Sequence, residues 1–507
     1  MKTAVVIGAG PAGLTAAHEL SRLSGDWRII VLEGSPHIGG ISRTAIHGDC
    51  RIDIGGHRFF SKSKEVNDLW AKLMPVQGAP SKDDLLLNRP CPIEVGGPDP
   101  EQEERVLLRR NRVSRIYYLR HFFDYPISIN LATFFAMGIV RTWKAGWSYL
   151  HGVFFKRPEK SLEDFYINRF GKVLYSMFFE DYTEKLWGVH PSKISPEWGV
   201  QRVKGLSLWK AILNVFLPNG GKKETSLIEE FLYPKKGPGQ LWEALADDLR
   251  LKEVDIRVKT PVVGVETEGS RVVGVRTASG ETIACDALFT SMPIKDLVAS
   301  FANVPGAVAQ IAAGLPYRDF ITVGLLVERL AITNKTRLKT VNDIVPDTWI
   351  YVQERDVRMG RIQIFNNWSP YMVDDVTKHV WIGLEYFCSE GDRLWTMGDR
   401  EFTDMAVREL RQIGVLGEET PILDSVCLRI KKAYPAYFGT YSQFGKVRAW
   451  LDGFDNLYCI GRNGQHRYNN MDHSMLCGIE AARALVSGSD KEKVWSVNTE
   501  EEYHESK

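Results

Sequence analysis

The chain has 507 residues, 44% hydrophobic and 25% charged, and its 64 Lys and Arg residues nearly balance 63 Asp and Glu residues. One hydrophobic core rarely organises so long a chain, so two or three domains are expected. The net charge of +1 leaves no basic excess to follow a phosphate backbone, which argues against a nucleic-acid partner.

The seven cysteines are scattered and form no CxxC pair. This pattern indicates buried free thiols in a reducing compartment rather than a zinc site or a redox dithiol. No cluster of ligands at metal spacing occurs, so no metal is predicted. The first apolar run leads straight into a glycine loop, unlike a signal peptide, and a cytoplasmic location is expected.

The first sixty residues predict a Rossmann-type dinucleotide site. Thr3 to Ile7 is typical of a buried parallel strand, Leu14 to Leu23 of a helix, and Arg28 to Leu32 of a second strand. A lone glycine motif is weak evidence, but here a strand, a helix and a terminal acid all stand at the required positions.

The loop between the first strand and the helix reads GAGPAG. Gly8 permits the tight turn, Gly10 lets the backbone approach a pyrophosphate, and Gly13 lets helix and strand pack closely. The helix N-terminus offers unpaired N–H groups to the phosphates. Glu33, twenty positions after Gly13, is predicted to accept hydrogen bonds from ribose hydroxyls.

The segment after this acid indicates FAD rather than NAD. It is rich in glycine, and its residues predicted to bind the cofactor are Gly39, Gly40, Arg43, Gly55, Gly56 and His57. This order resembles the FAD proteins of the amine-oxidase class, in which the segment passes beside the flavin. The resemblance also assigns Val263 to the cofactor.

The C-terminal end is predicted to complete the same domain. Asn456 to Gly461 is typical of a closing strand, and the following helix N-terminus is expected to face the flavin. The cofactor-binding residues predicted here are Gly461, Arg462, Asp472, His473 and Ser474.

The predicted fold is therefore α/β, with a discontinuous Rossmann-type FAD domain, a helical insertion and an antiparallel β-sheet substrate domain. The expected ranges are 1–90, 221–298 and 446–490 for the FAD domain, 91–220 for the helical insertion, 299–445 for the substrate sheet and 491–507 for a tail. The apolar stretch from Ile127 to Val140 is too short to cross a bilayer. It is either a buried helix, which we favour, or a surface that touches a membrane.

The central segment FGKVLYSMFFEDYTEKLWG, together with Arg202, resembles the UDP-galactopyranose mutases. The strings RIQIFNNWSPY and GRNGQHRYNNMDHS extend the resemblance toward the C-terminus. It implies that Tyr182 lies against the nucleobase, that Arg202 and Arg361 hold the diphosphate from mobile loops, and that His57 lies beside the isoalloxazine. The implied substrate-binding residues are Phe178, Tyr182, Trp187, Arg202, Arg361, Asn367, Trp368, Tyr434, Arg467, Tyr468 and Asn470.

Two positions depart from the family pattern. Asn470 stands where bacterial mutases carry an acid, and Trp368 where the longer mutases carry a tyrosine. Both departures leave the sugar open.

The resemblance implies a reaction without net redox. Reduced FAD would act through N5 as a nucleophile and interconvert the pyranose and furanose forms of a UDP-galactose-like nucleotide sugar. The implied catalytic residues are His57, Arg202 and Arg361, and NAD(P)H is a candidate reductant. The main alternative is an FAD oxidoreductase of the amine-oxidase or desaturase type, and a third is a non-catalytic flavin-binding protein. The oligomeric state is left open.

Overall fold

The structure is a computed structural model that describes residues 1–124, 138–196, 199 and 230–498. The described strands are β1 (Lys2–Ile7), β2 (Trp27–Leu32), β3 (Thr44–His47), β4 (Cys50–Asp53), β5 (Leu107–Asn111), β6 (Ser114–Tyr118), β7 (His121–Asp124), β8 (Glu230–Pro234), β9 (Asp255–Arg257), β10 (Val262–Glu268), β11 (Arg271–Thr277), β12 (Thr282–Ala284), β13 (Ala287–Thr290), β14 (Tyr317–Val327), β15 (Trp349–Val352), β16 (Arg361–Ile364), β17 (Val380–Cys388), β18 (Ile422–Pro435) and β19 (Leu457–Cys459).

The helices of the same residues, leaving aside short 3₁₀ turns and the π-helical segment Ser176–Glu180, range from one turn to nearly five turns. They are α1 (Pro11–Leu23), α2 (Lys64–Leu73), α3 (Lys82–Leu87), α4 (Ile139–Phe154), α5 (Leu162–Tyr175), α6 (Asp181–Trp187), α7 (Gly239–Leu251), α8 (Ile294–Ala299), α9 (Gly306–Ala313), α10 (Phe365–Trp368), α11 (Arg393–Thr396), α12 (Asp399–Gln412), α13 (Phe444–Asp452), α14 (Gly461–Gly464), α15 (Met471–Ser487) and α16 (Glu492–Ser496).

A parallel sheet gathers strands from distant parts of the chain in the order β19-β13-β1-β2-β9. Its side chains alternate between two cores, as the period of a strand requires. Ala4 and Val6 pack toward α1, α7 and α15, whereas Val5 and Ile7 pack toward the three-stranded sheet β10-β11-β12 and the helices α8, α9 and α13. The predicted α/β fold with a discontinuous Rossmann-type domain is thus confirmed.

The second large sheet has seven strands in the order β18-β14-β17-β16-β15-β6-β7. Its neighbouring strands are antiparallel except for the pair β15 and β6. One face is apolar and packs against α12 through residues such as Ile362, Leu384 and Tyr386. The alternate residues of the same strands, among them Arg361 and Glu385, point to the other face, where the candidate site lies.

The expectation of a helical segment over 91–220 is wrong at its beginning. Strands β5, β6 and β7 occupy residues 107–124, and β6 and β7 extend the seven-stranded sheet. The charged residues Arg110 and Arg115 interrupt the apolar alternation that would predict a strand. In the structure Arg110 forms an ion pair with the buried Asp83, and Arg115 forms one with the buried Asp347. The helices α4, α5 and α6 follow within this range as expected, and the domain boundaries themselves remain a prediction.

The buried helix predicted over Ile127 to Val140 lies mostly outside the described residues. The last two residues of this stretch, Ile139 and Val140, are the first residues of α4, and both are exposed rather than buried. None of the described helices combines the length and the apolar run that crossing a bilayer requires. The seven cysteines are free, as expected, and five of them are buried.

Candidate functional site

The glycine loop has a geometry that only small residues can adopt. Gly8 lies at φ +101° in the left-handed region, and a Cβ on Gly13 would stand 1.9 Å from the carbonyl oxygen of Gly8. The carboxylate of Glu33 accepts the backbone N–H of Ala9 at 2.9 Å and that of Ser35 at 2.9 Å. The acid at the end of β2 is therefore held directly beside the loop between β1 and α1.

The space in front of this loop fits a pyrophosphate. A Cβ on Gly10 would meet no protein atom closer than 3.7 Å, and its nearest neighbours are atoms of Gly40 and Gly39. Pro11 is the first residue of α1, where a backbone N–H would have no partner within the helix, so the lack of an N–H on proline loses no hydrogen bond. The next N–H groups lie at the positive end of the helix dipole. Arg43 is half-buried at this loop, and burial lowers its pKa while the charge of Glu33 raises it. The backbone N–H of Arg43 donates to the carbonyl oxygen of Gly40, and among the described residues its guanidinium has no hydrogen-bond partner. These residues fit FAD.

Replacing Gly10 by Ala tests this cradle without disturbing the fold. The added methyl group would make only ordinary van der Waals contacts with the protein, so the melting temperature of the cofactor-free protein should stay within a few degrees. It would occupy the space assigned to the pyrophosphate, and we expect FAD affinity to fall by about tenfold or more. Titration of the apoprotein with FAD measures this change, and an unchanged affinity would contradict the assignment.

Two further elements predicted to contact the cofactor, the start of β10 and the helix α15, lie near this loop. Val263 is half-exposed and follows Pro261, which packs against Gly34 just after Glu33. Helix α15 lies across α1 so closely that a Cβ on Gly478 would stand 2.4 Å from the carbonyl oxygen of Ala12.

The start of α15 is fixed by hydrogen bonds. Asn470 caps the helix and its N–H donates to Nδ1 of His473 at 3.2 Å, while Ser61 donates to Asp472 at 3.1 Å. This helix start, with Ser474 in its first turn, therefore lies beside the segment that carries His57. Asn470, predicted to bind substrate, is exposed and serves as a helix cap.

The Gly55-Gly56-His57 segment lies against the seven-stranded sheet. Gly55 has φ +86°, and a Cβ on Gly56 would collide with the ring of Trp349 at 2.4 Å. His57 donates from Nδ1 to the carbonyl oxygen of Gly55 at 2.8 Å, which leaves Nε2 as an acceptor. Burial lowers the pKa of His57 to about 4, and the charge of Arg462 adds to this effect. His57 is therefore neutral at physiological pH.

Arg361 forms the centre of a polar cluster on the inner face of the seven-stranded sheet. Its Nε donates to the hydroxyl of Tyr182 at 2.6 Å, and its Nη1 lies 2.9 Å from Glu385 and 3.4 Å from the hydroxyl of Tyr434. The ring of Tyr434 stacks on that of Tyr468 with centroids 5.7 Å apart. The cluster thus brings together side chains from α6, β16, β17, β18 and the loop before α15.

A second guanidinium borders this cluster. Arg462 lies over the ring of Tyr468 at 4.6 Å and over that of Tyr434 at 5.8 Å. It is fixed by hydrogen bonds to the carbonyl oxygens of Asn469 and Ala433. The charge of Arg462 also lowers the pKa of His57.

The charges of the cluster do not cancel. Arg361 and Arg462 contribute two positive charges, and the fully buried Glu385 contributes one negative charge. Burial raises the pKa of Tyr182 and raises that of Tyr434 to about 12, so both hydroxyls stay protonated and can donate hydrogen bonds. A surplus positive charge and protonated hydroxyls favour an anionic group in this environment.

Glu385 and the aromatic rings around Arg361 were not predicted from the sequence. Glu385 stands opposite Arg361 in the β16–β17 register, and the guanidinium lies 4.8 Å from the ring centroids of both Trp349 and Phe387. Glu385 is the only acid within the apolar segment VWIGLEYFC, and this was a signal of a buried ion pair, because an acid is rarely buried without a partner. Arg361 was expected on a mobile loop, which is wrong: it begins a fully buried strand.

The remaining predicted substrate residues lie elsewhere or cannot be placed. Phe178 packs in a separate core against Tyr118 and Phe123. Trp187 is buried near Tyr437, at a centroid distance of 6.5 Å. Arg202 lies outside the described residues.

Three further residues make structural contacts. Trp368 is fully buried and donates to the carbonyl oxygen of Thr348 at 2.8 Å, although its ring also touches the segment at Gly56. Asn367 donates to two loop carbonyl oxygens. Arg467 donates to backbone carbonyl oxygens at the end of α16 rather than to the Arg361 cluster.

One group of potential metal ligands occurs in the described part of the chain. Ligand atoms of Glu163, Glu180 and His190 lie within 4.8 Å of one another. His190 already contacts Glu180 at 3.2 Å, and Ser176 donates to the same carboxylate. The group lies half-buried at the protein surface, and the lack of a metal remains a prediction.

His466 gives the protein a dependence on pH. Burial lowers its pKa from 6.5 to about 4, and its Nε2 donates to the carbonyl oxygen of Ala436 at 3.0 Å. Between pH 6.5 and about pH 4, His466 is protonated in the unfolded chain but neutral in the folded chain. The free energy of unfolding therefore decreases as the pH falls through this window, by about 3 kcal/mol in all.

Denaturant unfolding across this window measures the effect. His57 titrates over the same range, so the variant His466→Gln should show a shallower, but not flat, loss of stability toward acid. A pH dependence identical to that of the wild type would contradict the assignment.

Comparisons with known proteins identify the family. A family model described as flavin-containing amine oxidoreductase matches residues 11–486. The chain belongs to this family.

Solved structures share the family fold over nearly the whole chain. A reduced UDP-galactopyranose mutase is 20% identical, covers 99% of this chain and 100% of its own, and superposes with a TM-score of 0.77. A cyclohexylamine oxidase from Brevibacterium oxydans is 14% identical, covers 96% and 99%, and has a TM-score of 0.62. A redesigned putrescine oxidase is 13% identical, with the same coverage and a TM-score of 0.61. At these identities the likeness concerns the fold.

Proposed function

We propose that this flavin-containing amine oxidoreductase family member binds FAD and interconverts the pyranose and furanose forms of a nucleotide-diphosphate sugar such as UDP-galactose, without net redox. The observation that carries the proposal is the convergence of Arg361, Arg462 and the hydroxyls of Tyr182 and Tyr434. Its net positive charge suits a diphosphate and disfavours the cationic amine that an amine oxidase would bind.

The residues of the cluster bind and orient the leaving diphosphate. Guanidinium groups offer paired N–H donors that match phosphate oxygens, and the Glu385 contact fixes the plane of Arg361 before substrate arrives. The hydroxyl of Tyr434 can add a donor, since burial keeps it protonated. Charge that develops on the diphosphate as it departs is thereby stabilised by groups that need no rearrangement.

The cofactor supplies the nucleophile in its reduced form when bound. The chain positions it by the glycine loop, by Glu33 and by the start of α15. His57 is neutral and presents Nε2 as an acceptor, so it can hold a proton at that atom during ring opening and closure. Arg202 is proposed as a second arginine at the diphosphate, on the strength of the sequence resemblance alone. NAD(P)H is the proposed reductant.

One observation favours a second function, an FAD-dependent oxidation of an uncharged substrate. Glu385 neutralises Arg361, and the rings of Trp349 and Phe387 around it could seat a flat apolar molecule. The surplus charge of Arg462 would have no role in that reaction.

Turnover under reducing conditions separates the two functions. The purified holoenzyme is reduced anaerobically and given UDP-galactopyranose, its furanose form and other nucleotide hexoses, and products are resolved by chromatography. The mutase proposal predicts interconversion only with reduced flavin. Substrate-driven reduction of the oxidised flavin by an uncharged compound, with no interconversion in the panel, would overturn it.

The variant Tyr434→Phe tests the cluster with the removal of one oxygen atom. Loss of a hydrogen bond to a charged phosphate should lower kcat/KM by about tenfold or more. Tyr386→Phe is the matched control, because Tyr386 is equally buried but packs on Phe402 at the opposite face of the same sheet. Equal effects of the two variants on turnover would contradict the placement of the diphosphate.

A further inference from the structure

Helix α4 has two apolar faces, and the described residues of the protein cover only one of them. Ala145, Tyr149 and Gly152 are buried against α5, and a Cβ on Gly152 would stand 2.6 Å from the carbonyl oxygen of Ile167. This close approach fixes the helix on the body of the molecule. The opposite face is therefore presented outward in a defined orientation.

The outward face is a stripe of large apolar side chains, Trp143, Trp147, Leu150 and Phe154, which we name the exposed aromatic face. Their spacing of four, three and four residues places them along one side of the helix. Trp143 is 74% exposed, Trp147 69% and Phe154 75%, and the two tryptophan rings stack with centroids 6.2 Å apart. Single exposed apolar residues are ordinary in proteins, but a contiguous aromatic stripe marks a contact surface.

The charged residues of α4 and of the sequence directly around it are all positive. No Asp or Glu occurs between residues 125 and 158, whereas Arg141, Lys144, Lys156 and Arg157 do. Arg141 and Lys144 are exposed on α4 itself, and Lys156 and Arg157 follow its end and are exposed as well. The composition of the rest of the chain is nearly neutral, so this segment is a local concentration of positive charge.

Tryptophan and phenylalanine beside lysine and arginine match the boundary of an anionic bilayer. The rings of Trp and Phe partition into the headgroup region, and basic side chains beside them attract anionic lipids. A protein partner is favoured less, because lysine is depleted at protein interfaces. We propose that α4 docks the protein peripherally on an anionic phospholipid surface, with the exposed aromatic face lying flat in the headgroup layer.

Flotation of the full-length holoenzyme with vesicles tests this proposal. We expect binding to vesicles of phosphatidylcholine mixed with phosphatidylglycerol, weakened by high salt. The double variant Trp143→Ser/Trp147→Ser should lower the partition coefficient by about tenfold or more, because interfacial binding scales with the apolar area inserted. The double variant Arg141→Glu/Lys144→Glu should lower it as well.

The matched control removes exposed apolar side chains elsewhere. Val95 is 99% exposed and Leu251 86% exposed, and Val95→Ser/Leu251→Ser should bind vesicles as the wild type does. Flavin content and melting temperature equal to those of the wild type verify that the tryptophan variant is folded.

Three results would overturn the proposal. The first is wild-type protein that does not float with the mixed vesicles, and the second is a tryptophan variant that floats as well as the wild type. The third is a wild-type protein that forms a dimer and does not bind vesicles, while the tryptophan variant is monomeric. The last result would assign the face to contact between copies of the chain.

Discussion

Replacing Arg361 by Lys is expected to lower kcat/KM for the nucleotide sugar by about a hundredfold. Lysine keeps the positive charge beside the buried Glu385, so the folded protein should survive. It cannot supply both the Nε bond to Tyr182 and the Nη1 contacts to Glu385 and Tyr434, so the donors for the diphosphate lose their fixed orientation. Steady-state rates of the reduced enzyme measure the effect.

Arg115→Lys is the matched control for this variant. Arg115 lies two strands away on β6 in the same sheet and forms a two-nitrogen ion pair with the buried Asp347. The control should lose comparable stability in denaturant unfolding but keep its turnover. If Arg361→Lys turned over at the wild-type rate, the diphosphate would not be bound by this cluster.

Replacing Gly13 by Ala is expected to remove most of the bound FAD and to destabilise the protein by at least about 2 kcal/mol. The new Cβ would stand 1.9 Å from the carbonyl oxygen of Gly8 and 3.1 Å from a methyl group of Val6, so α1 must move away from β1. That movement displaces the helix N-terminus from the glycine loop. The flavin-to-protein ratio and the melting temperature report the two effects.

Gly25→Ala serves as the control for Gly13→Ala. A Cβ on Gly25 would meet nothing within 4 Å, and the residue lies between α1 and β2 in the same part of the fold. Its variant should keep full cofactor content. A Gly13→Ala protein with wild-type flavin content would show that the close contact between helix and strand does not determine cofactor binding.

The parts of the fold that the sequence predicted are those encoded by neighbouring residues. The conformation of the loop from Gly8 to Gly13 depends on local backbone sterics, and Glu33 stands directly after a short apolar strand. Both features could therefore be recognised without knowledge of the tertiary structure. The closing strand and helix at the C-terminus were found for the same reason. These elements define the Rossmann-type domain even though the chain returns to it from distant segments.

The parts that the sequence did not predict depend on pairing between distant strands. Glu385 meets Arg361 only because β16 and β17 align them in register, and no local pattern encodes that register. Strand β6 pairs in parallel with β15, more than 230 residues later in the chain. Phe178 was predicted to bind substrate but packs in a hydrophobic core. An aromatic residue near a motif suits either role, and the sequence does not distinguish the two.

The most direct test of redox-neutral chemistry counts product molecules per flavin reduction. The holoenzyme is reduced once under anaerobic conditions, excess reductant is removed, and UDP-galactopyranose or its furanose form is added while the visible flavin absorbance is followed. We expect many product molecules per flavin while the flavin stays reduced. Product formation that stops at about one molecule per flavin, together with return of the oxidised flavin spectrum, would contradict it.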